Sequence, residues 1–275
     1  MIIVVVGLGV IGGSFVQALS GLGHQVYGID VDAKSLQHAK KEGYIMEGYT
    51  DGAEIIPKAD LTIICLYPSL VLDFIKAHTF KPGSIVNDAV GIKSYFLERA
   101  LTILDPRVEL VSGHPMAGRE KKGYAYANKE VFKNANYILI KHPKNQPKTI
   151  AFMEQFVEKL GFRSVKIMSP YNHDEVISFT SQLPHAIAVA LINSDQQKYD
   201  TGKYIGDSYR DLTRIANINE DLWSELFLHN KEYLLTSISV FEQELTHIKD
   251  AVANNDADKL KQLFITSSKR RENLE

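Results

Sequence analysis

An apolar run, Ile2–Val6, leads directly into Gly7-Leu8-Gly9-Val10-Ile11-Gly12, then into an amphipathic segment and a second apolar run, Gln25–Ile29, that ends at Asp30. Strand, glycine turn, helix, strand and acid in that order restrict the chain to folds built on parallel βαβ units. Each glycine has a steric duty in such a unit: Gly7 permits the tight turn, Gly9 lets backbone approach a pyrophosphate, and Gly12 lets the helix pack on the strand. Leu8, Val10 and Ile11 supply the intervening backbone, and the helix start offers free N–H groups to an anion. The plain alternative is a glycine-rich turn that holds no nucleotide, but it gives no reason for the acid at the end of the second strand.

Asp30 stands where a ribose-binding carboxylate belongs in this motif. It would accept hydrogen bonds from adenosine ribose hydroxyls and repel a 2′-phosphate, and no arginine follows it at Val31 or Asp32. The expected cofactor is therefore NAD rather than NADP.

Beyond Asp30, apolar runs keep alternating with helical patterns. Strands are expected over Leu61–Leu66, Ser84–Asn87, Glu109–Ser112, Tyr137–Ile140 and Arg163–Ile167, with helices from Ala33, from Ser69, over Lys93–Ile103 and over Lys148–Leu160. This predicts an α/β fold, a Rossmann-type doubly wound parallel sheet occupying residues 1–168. After Ser169-Pro170 the texture changes to long helical segments, Tyr171–Gln197, Ser208–Asn217, Glu220–His247 and Asp256–Arg271, which predict an all-helical dimerisation domain over 169–275. Apolar positions there, including Ile187, Leu191, Leu226, Leu234, Ile238, Phe241 and Leu245, exceed what a single thin layer buries. A homodimer through these helices is the expected assembly.

Composition narrows the partners. A formal charge of −2 over 275 residues gives no electrostatic reason to expect nucleic acid or an anionic membrane. No run of about 18 apolar residues marks a membrane span, and the N-terminus lacks the basic flank of a signal peptide, so the expected location is the cytoplasm. The single cysteine, Cys65, lies in an apolar strand and is expected to be a buried small hydrophobe. None of the nine histidines pairs with another four residues away, and no zinc-type Cys/His cluster occurs, so no metal is expected.

In an open parallel sheet, ligands bind beyond the carboxyl ends of the strands. Three loops arrive there with chemistry: Tyr67-Pro68, expected beside the cofactor; Asp88-Ala89-Val90-Gly91-Ile92-Lys93; and Gly113-His114-Pro115. His114 is the candidate general base, because taking hydride from a carbinol carbon requires removing the hydroxyl proton, and imidazole accepts protons near neutral pH. The bland alternative is a loop histidine bonded to backbone.

The segment Gly113-His114-Pro115-Met116-Ala117-Gly118, followed by Glu120 and Gly123, resembles the signature of the prephenate and arogenate dehydrogenases. Ser181-Gln182-Leu183-Pro184-His185-Ala186 and Tyr209-Arg210-Asp211-Leu212-Thr213-Arg214-Ile215-Ala216, with Trp223 after them, resemble that family's helical-domain motifs in order. The similarity covers nearly the whole chain. It implies oxidative decarboxylation of prephenate with NAD⁺ to 4-hydroxyphenylpyruvate, CO₂ and NADH, in tyrosine biosynthesis. Arogenate, or both substrates as in a cyclohexadienyl dehydrogenase, is the alternative.

The resemblance also implies roles. His114 is the proton acceptor, Arg214 the grip on a substrate carboxylate, and His185 a contact to the pyruvyl side chain. Glu120 is implied in a gating or orienting ion pair, Asp211 in supporting the arginine, and Trp223 in walling the pocket. Lys93 is expected either to assist a carboxylate or to be a solvated helix-start lysine. One departure stands out: many relatives carry a serine where this chain has Gly91, and that hydroxyl contacts the catalytic histidine. Here the orientation of His114 must come from Ser94, Ser112, a water or a backbone group. A β-hydroxyacid dehydrogenase-like reductase would use a helical-domain lysine instead, and a non-catalytic NAD-sensing module would not need His114 and Arg214 together.

Overall fold

The computed structural model describes residues 1–118 and 121–274. Two compact units divide the chain, Met1–Asn230 and Lys231–Glu275.

The first unit opens with β1 (Ile2–Val6), α1 (Val10–Leu19), β2 (Gln25–Ile29), α2 (Ala33–Lys41), β3 (Glu47–Tyr49), β4 (Leu61–Ile64), α3 (Pro68–Ala77), β5 (Ile85–Asp88), α4 (Ser94–Ile103) and β6 (Glu109–Leu110). The strands form a parallel sheet in the order β3-β2-β1-β4-β5-β6, the doubly wound arrangement expected from the alternating pattern. Both faces of β1 are covered. Ile3 and Val5 join one apolar cluster while Val4 and Val6 join the other, which is why the strand is apolar at every position rather than at alternate ones.

Next come β7 (Gly113–Pro115), β8 (Asn136–Ile140), α5 (Pro147–Lys159) and β9 (Ser164–Met168). These strands form a second sheet, with β7 antiparallel to β8 and β8 parallel to β9. The two sheets share one bent segment. The N–H of Val111 donates to Val86 on the β5 side, while the carbonyl of Ser112 accepts from Ile140 on the β8 side. His114, expected on a loop, is thus held in a strand. Short β3 and β7 escape a periodicity argument because three residues are too few to show alternation.

Four more helices complete the unit: α6 (Pro170–Ile177), α7 (Leu183–Asn193), α8 (Asp207–Thr213) and α9 (Glu220–His229). A π-helical turn, Ser178–Gln182, joins α6 to α7. It relieves the ladder just before Pro184, which has no N–H to donate. By length and mean hydropathy the stretch Pro170–Asn193 could cross a membrane. Its inner face, however, holds buried His173, Asp174 and Gln182, and Val176, Phe179 and Ile192 remain exposed on other faces.

The second unit is a helical hairpin, α10 (Lys231–Ala253) and α11 (Ala257–Glu272). The Asp256 carboxylate caps α11 by accepting from the Lys259 N–H at 2.9 Å. Leu245, Ile248, Phe264 and Ile265 are exposed on it. The helix expected as one run over Glu220–His247 is broken at Asn230. The Asn230 side chain turns into the first unit and donates to the Asp174 carbonyl and to Gln182.

Candidate active site

At the carboxyl end of β1 the glycines behave as their spacing requires. Gly7 has φ of 82°, and a Cβ on Gly12 would stand 1.9 Å from the Gly7 carbonyl oxygen, so only glycine lets α1 approach β1. A Cβ on Gly9 would meet nothing within 4 Å, so the turn opens to free space there. No side chain caps α1, and by helix geometry the N–H groups of Val10, Ile11 and Gly12 lack intrahelical acceptors. The Asp30 carboxylate accepts from the Leu8 N–H at 2.6 Å and the Asp32 N–H at 2.8 Å. It pins the turn, and its remaining lone pairs can accept hydroxyls. Orphaned donors above an open turn, with a carboxylate beside it, fit a dinucleotide.

Tyr67 immediately precedes α3, and Pro68 is its first residue. The Tyr67 hydroxyl accepts from the Asn219 amide at 2.7 Å. Ser69 donates its N–H and its hydroxyl to the Glu225 carboxylate. The loop after β4 is thereby tied to α9.

Beyond β5 and β7 lies the second cluster. His114 Nδ1 is 2.8 Å from His173 Nε2, and His173 Nδ1 is 2.7 Å from Asp174 Oδ1. Asp174 caps α4 as well, accepting from the Lys93 N–H at 2.8 Å and the Ser94 N–H at 2.7 Å. Burial pushes the His114 imidazole well below the ordinary histidine value, and neighbouring His173 and Lys93 push it the same way. His173 is lowered too, by burial first, with its bond to Asp174 opposing. Burial alone would raise the Asp174 carboxyl, but the hydrogen bond from His173 and those at the α4 start hold it below its usual range.

These directions assign the protons. Ionised Asp174 can only accept, so neutral His173 carries its proton on Nδ1 and offers a lone pair at Nε2. That lone pair takes the Nδ1–H of His114, leaving His114 Nε2 unprotonated. Such a nitrogen is a proton acceptor with fixed direction.

Lys93, expected at a substrate carboxylate or in water, is in neither place. Its side chain is 0% exposed, with Nζ 2.7 Å from Asp88 Oδ1 and 2.5 Å from the Gly113 carbonyl. The Ser112 hydroxyl donates to the other Asp88 oxygen. Neither Ser112 nor Ser94 therefore orients the His114 ring; His173 does. His173 and Asp174 went unmarked in the sequence because they sit inside an ordinary amphipathic helix. The available signal was a His-Asp pair on the buried face of that helix, just after the Ser169-Pro170 start.

The helical residues gather around α7 and α9. His185 stacks on Trp223 with ring centroids 3.7 Å apart, and its Nδ1 lies 2.8 Å from the Ser181 carbonyl. Arg214 begins a 3₁₀ turn, Arg214–Ala216, that packs against α7. Arg214 and Asp211 are both exposed. Leu226, one turn after Trp223 on α9, would touch a Cβ at Gly91 at 3.2 Å, and that Cβ would lie 3.8 Å from His114 Nε2. Through Leu226, α9 brings its Trp223 face toward His114 Nε2. Glu120 lies outside the described residues.

With this geometry in hand, comparison with known proteins is decisive. The model of the prephenate dehydrogenase nucleotide-binding domain matches residues 15–166, and that of the prephenate dehydrogenase dimerization domain matches residues 169–266. The chain belongs to the prephenate dehydrogenase family. It is 29% identical to a prephenate dehydrogenase of Bacillus subtilis, over 99% of this chain and 76% of that one. It is 28% identical to a cyclohexadienyl dehydrogenase of Zymomonas mobilis, over 98% and 94%. A crystal structure of prephenate dehydrogenase from Aquifex aeolicus, in complex with hydroxyphenyl propionate and NAD⁺, superposes with a TM-score of 0.89 at 30% identity, covering 99% of this chain and 98% of that one.

Proposed function

We propose that this protein oxidatively decarboxylates prephenate with NAD⁺, giving 4-hydroxyphenylpyruvate, CO₂ and NADH. The observation that carries the reading is the buried chain of contacts from His114 Nδ1 to His173 Nε2 and from His173 Nδ1 to Asp174 Oδ1, which leaves His114 Nε2 as the proton acceptor. Family membership supports the substrate class.

The Gly7–Gly12 turn would hold the pyrophosphate of the dinucleotide, whose nicotinamide would supply the acceptor for a hydride. His114 Nε2 takes the hydroxyl proton of the ring carbinol as that carbon's C–H bonding pair leaves. The electron demand so created is met by the C–C bond to the ring carboxylate, whose pair enters the ring as CO₂ departs and the ring becomes aromatic. As His114 gains its proton, its Nδ1–H stays bonded to His173, whose own Nδ1–H faces the Asp174 carboxylate, so the new charge is solvated by a fixed chain of dipoles. Arg214 grips one substrate carboxylate through two parallel bonds. His185 contacts the pyruvyl side chain, with Trp223 as the wall behind it.

The working division is a nucleotide-binding part over 1–168 and a helical part over 169–275, the latter forming a homodimer. The exposed apolar residues Val176, Phe179 and Ile192 support that assembly, and the cytoplasm is the setting it suits. NADH formation, followed by absorbance with prephenate or arogenate and NAD⁺ or NADP⁺ in separate reactions, tests the reading. Turnover of prephenate with NAD⁺ is expected. Silence in all four would reject the reaction, and a strong preference for arogenate would replace the substrate.

A further inference from the structure

Lys93 touches both ends of the relay without belonging to it. Its main-chain N–H donates to Asp174 Oδ1, the same oxygen that faces His173 Nδ1. Its ammonium, at the other end of the side chain, donates to the carbonyl of Gly113, the peptide that leads into His114. Lys93, Asp174, His173 and His114 therefore close a ring of contacts, and Lys93 is its only member with no imidazole or carboxylate.

We propose that Lys93 is the positioning residue of the proton acceptor, fixing the Gly113–His114 peptide with its side chain and Asp174 with its main chain. The inference rests on His114 being the base of the reaction proposed above. Two simpler roles fit the structure less well. A substrate contact would need an exposed ammonium, and this one is enclosed. A stabilising ion pair with Asp88 would need nothing beyond Asp88, since apolar replacements of buried pairs are often as stable, yet this ammonium makes a second bond to the strand carrying His114.

Charge gives the arrangement a second consequence. The ionisable groups around Lys93 are Asp88 from β5, His114 from β7, and His173 and Asp174 from α6, with the Ser112 hydroxyl completing the Asp88 carboxylate. The carboxylates balance the ammonium on one side, while on the other it opposes a resting positive charge on either imidazole. Burial does most to keep His114 unprotonated between turnovers, and His173 and the Lys93 ammonium work in the same direction.

The test uses the full-length protein with Lys93→Met and with the double replacement Asp88→Asn, Lys93→Met, which removes the cation without orphaning a buried carboxylate. The pH dependence of kcat/KM is measured beside the NMR titration of the His114 imidazole without substrate, assigned by its loss in His114→Asn. The acidic limb and the NMR midpoint should both move up by about one pH unit. The kcat should fall about 10-fold, while the KM for NAD⁺ stays unchanged. Folded variants with an unmoved limb and midpoint would overturn the proposal, as would collapse of both variants, which would assign Lys93 to stability alone. Absence of turnover in the unmodified protein would instead reject the reaction and leave the NMR midpoint to judge Lys93.

Discussion

A Cβ built on Gly91 would stand 3.8 Å from His114 Nε2, so the residue at this position borders the nitrogen proposed to receive the proton. A serine hydroxyl there could donate to or accept from the substrate hydroxyl at the moment of transfer. The tightest obstacle is Leu226 Cδ2 at 3.2 Å, the mobile end of a side chain that can rotate aside. Gly91→Ser should therefore fold normally and raise kcat/KM a few-fold, about the worth of one added hydrogen bond. Gly91→Val, which fills the same space without a hydroxyl, should lower it. Steady-state kinetics on both variants checks the pair, and equal losses would show that the gap itself is needed.

Asp174 sets the tautomer of His173, and through it that of His114. An asparagine in its place keeps the shape but can present a donor to His173 Nδ1, which favours the wrong tautomer all along the chain. Asp174→Asn should lower kcat about 100-fold with little change in either KM. Its two contacts to the start of α4 make some loss of stability certain, so the comparison is made well below the variant's own melting temperature. A KM effect with kcat preserved would refute the relay.

Acid should destabilise this fold through the same residues. His114 and His173 are both held below 6.5 in the folded protein, while the unfolded chain binds protons on them as soon as the pH drops under that value. Stability from keeping them neutral is complete above the unfolded value and is lost as pH falls through the folded ones. Asp174, lowered from 3.8, adds a further loss at still lower pH. Melting temperature recorded between about pH 8 and pH 5 should fall on the acidic side, and His173→Gln should flatten that slope. An unchanged slope would mean that other groups govern it.

The doubly wound parallel sheet and the strand, glycine turn and helix that open it were legible because they depend on local pattern, apolar runs and fixed glycine spacing; that Tyr137–Ile140 and Arg163–Ile167 form a second sheet rather than continue the first was not, because strand pairing is a long-range choice. Lys93 was not, because a lysine at a helix start looks solvated until the strand carrying His114 is laid across it. His173 and Asp174 were hidden for a similar reason, since a helix read alone does not reveal which polar side chains face a buried partner. The fixing of Tyr67 by Asn219, and of Ser69 by Glu225, joins residues more than 150 positions apart, beyond any short-range pattern. Local physics wrote the scaffold, and long-range packing wrote the connections among the charged groups.

Arg214 carries the proposed grip on a substrate carboxylate from a single 3₁₀ turn beside α7. Arg214 is an exposed residue, so a stability loss on its removal should be small beside the effect on substrate. Arg214→Ala should raise the KM for prephenate at least about 10-fold, the scale of a lost charged hydrogen bond, while the NAD⁺ affinity stays the same. Arg214→Lys should recover only part of the loss, because an ammonium cannot match both carboxylate oxygens. Isothermal titration with NAD⁺ beside steady-state KM values separates the two sites, and parallel losses in both would show that the turn supports the fold rather than the substrate.

Asp30 provides the sharpest test of cofactor choice because it does two jobs. Its oxygens hold the Leu8 and Asp32 N–H groups, and its charge would repel a 2′-phosphate. Asp30→Ser keeps a hydroxyl that can accept from one of those donors but removes the repulsion. Alone it should lower kcat/KM for NAD⁺ about 10-fold without creating real use of NADP⁺, since no arginine follows at Val31 or Asp32 to grip the phosphate. Val31, at 92% exposure, is the neighbouring position open to a long side chain. Adding Val31→Arg to Asp30→Ser should therefore bring NADP⁺ turnover up to or above that with NAD⁺. If the double variant still prefers NAD⁺ as strongly as the unmodified protein, the preference is set elsewhere in the cleft and Asp30 serves only to brace the turn.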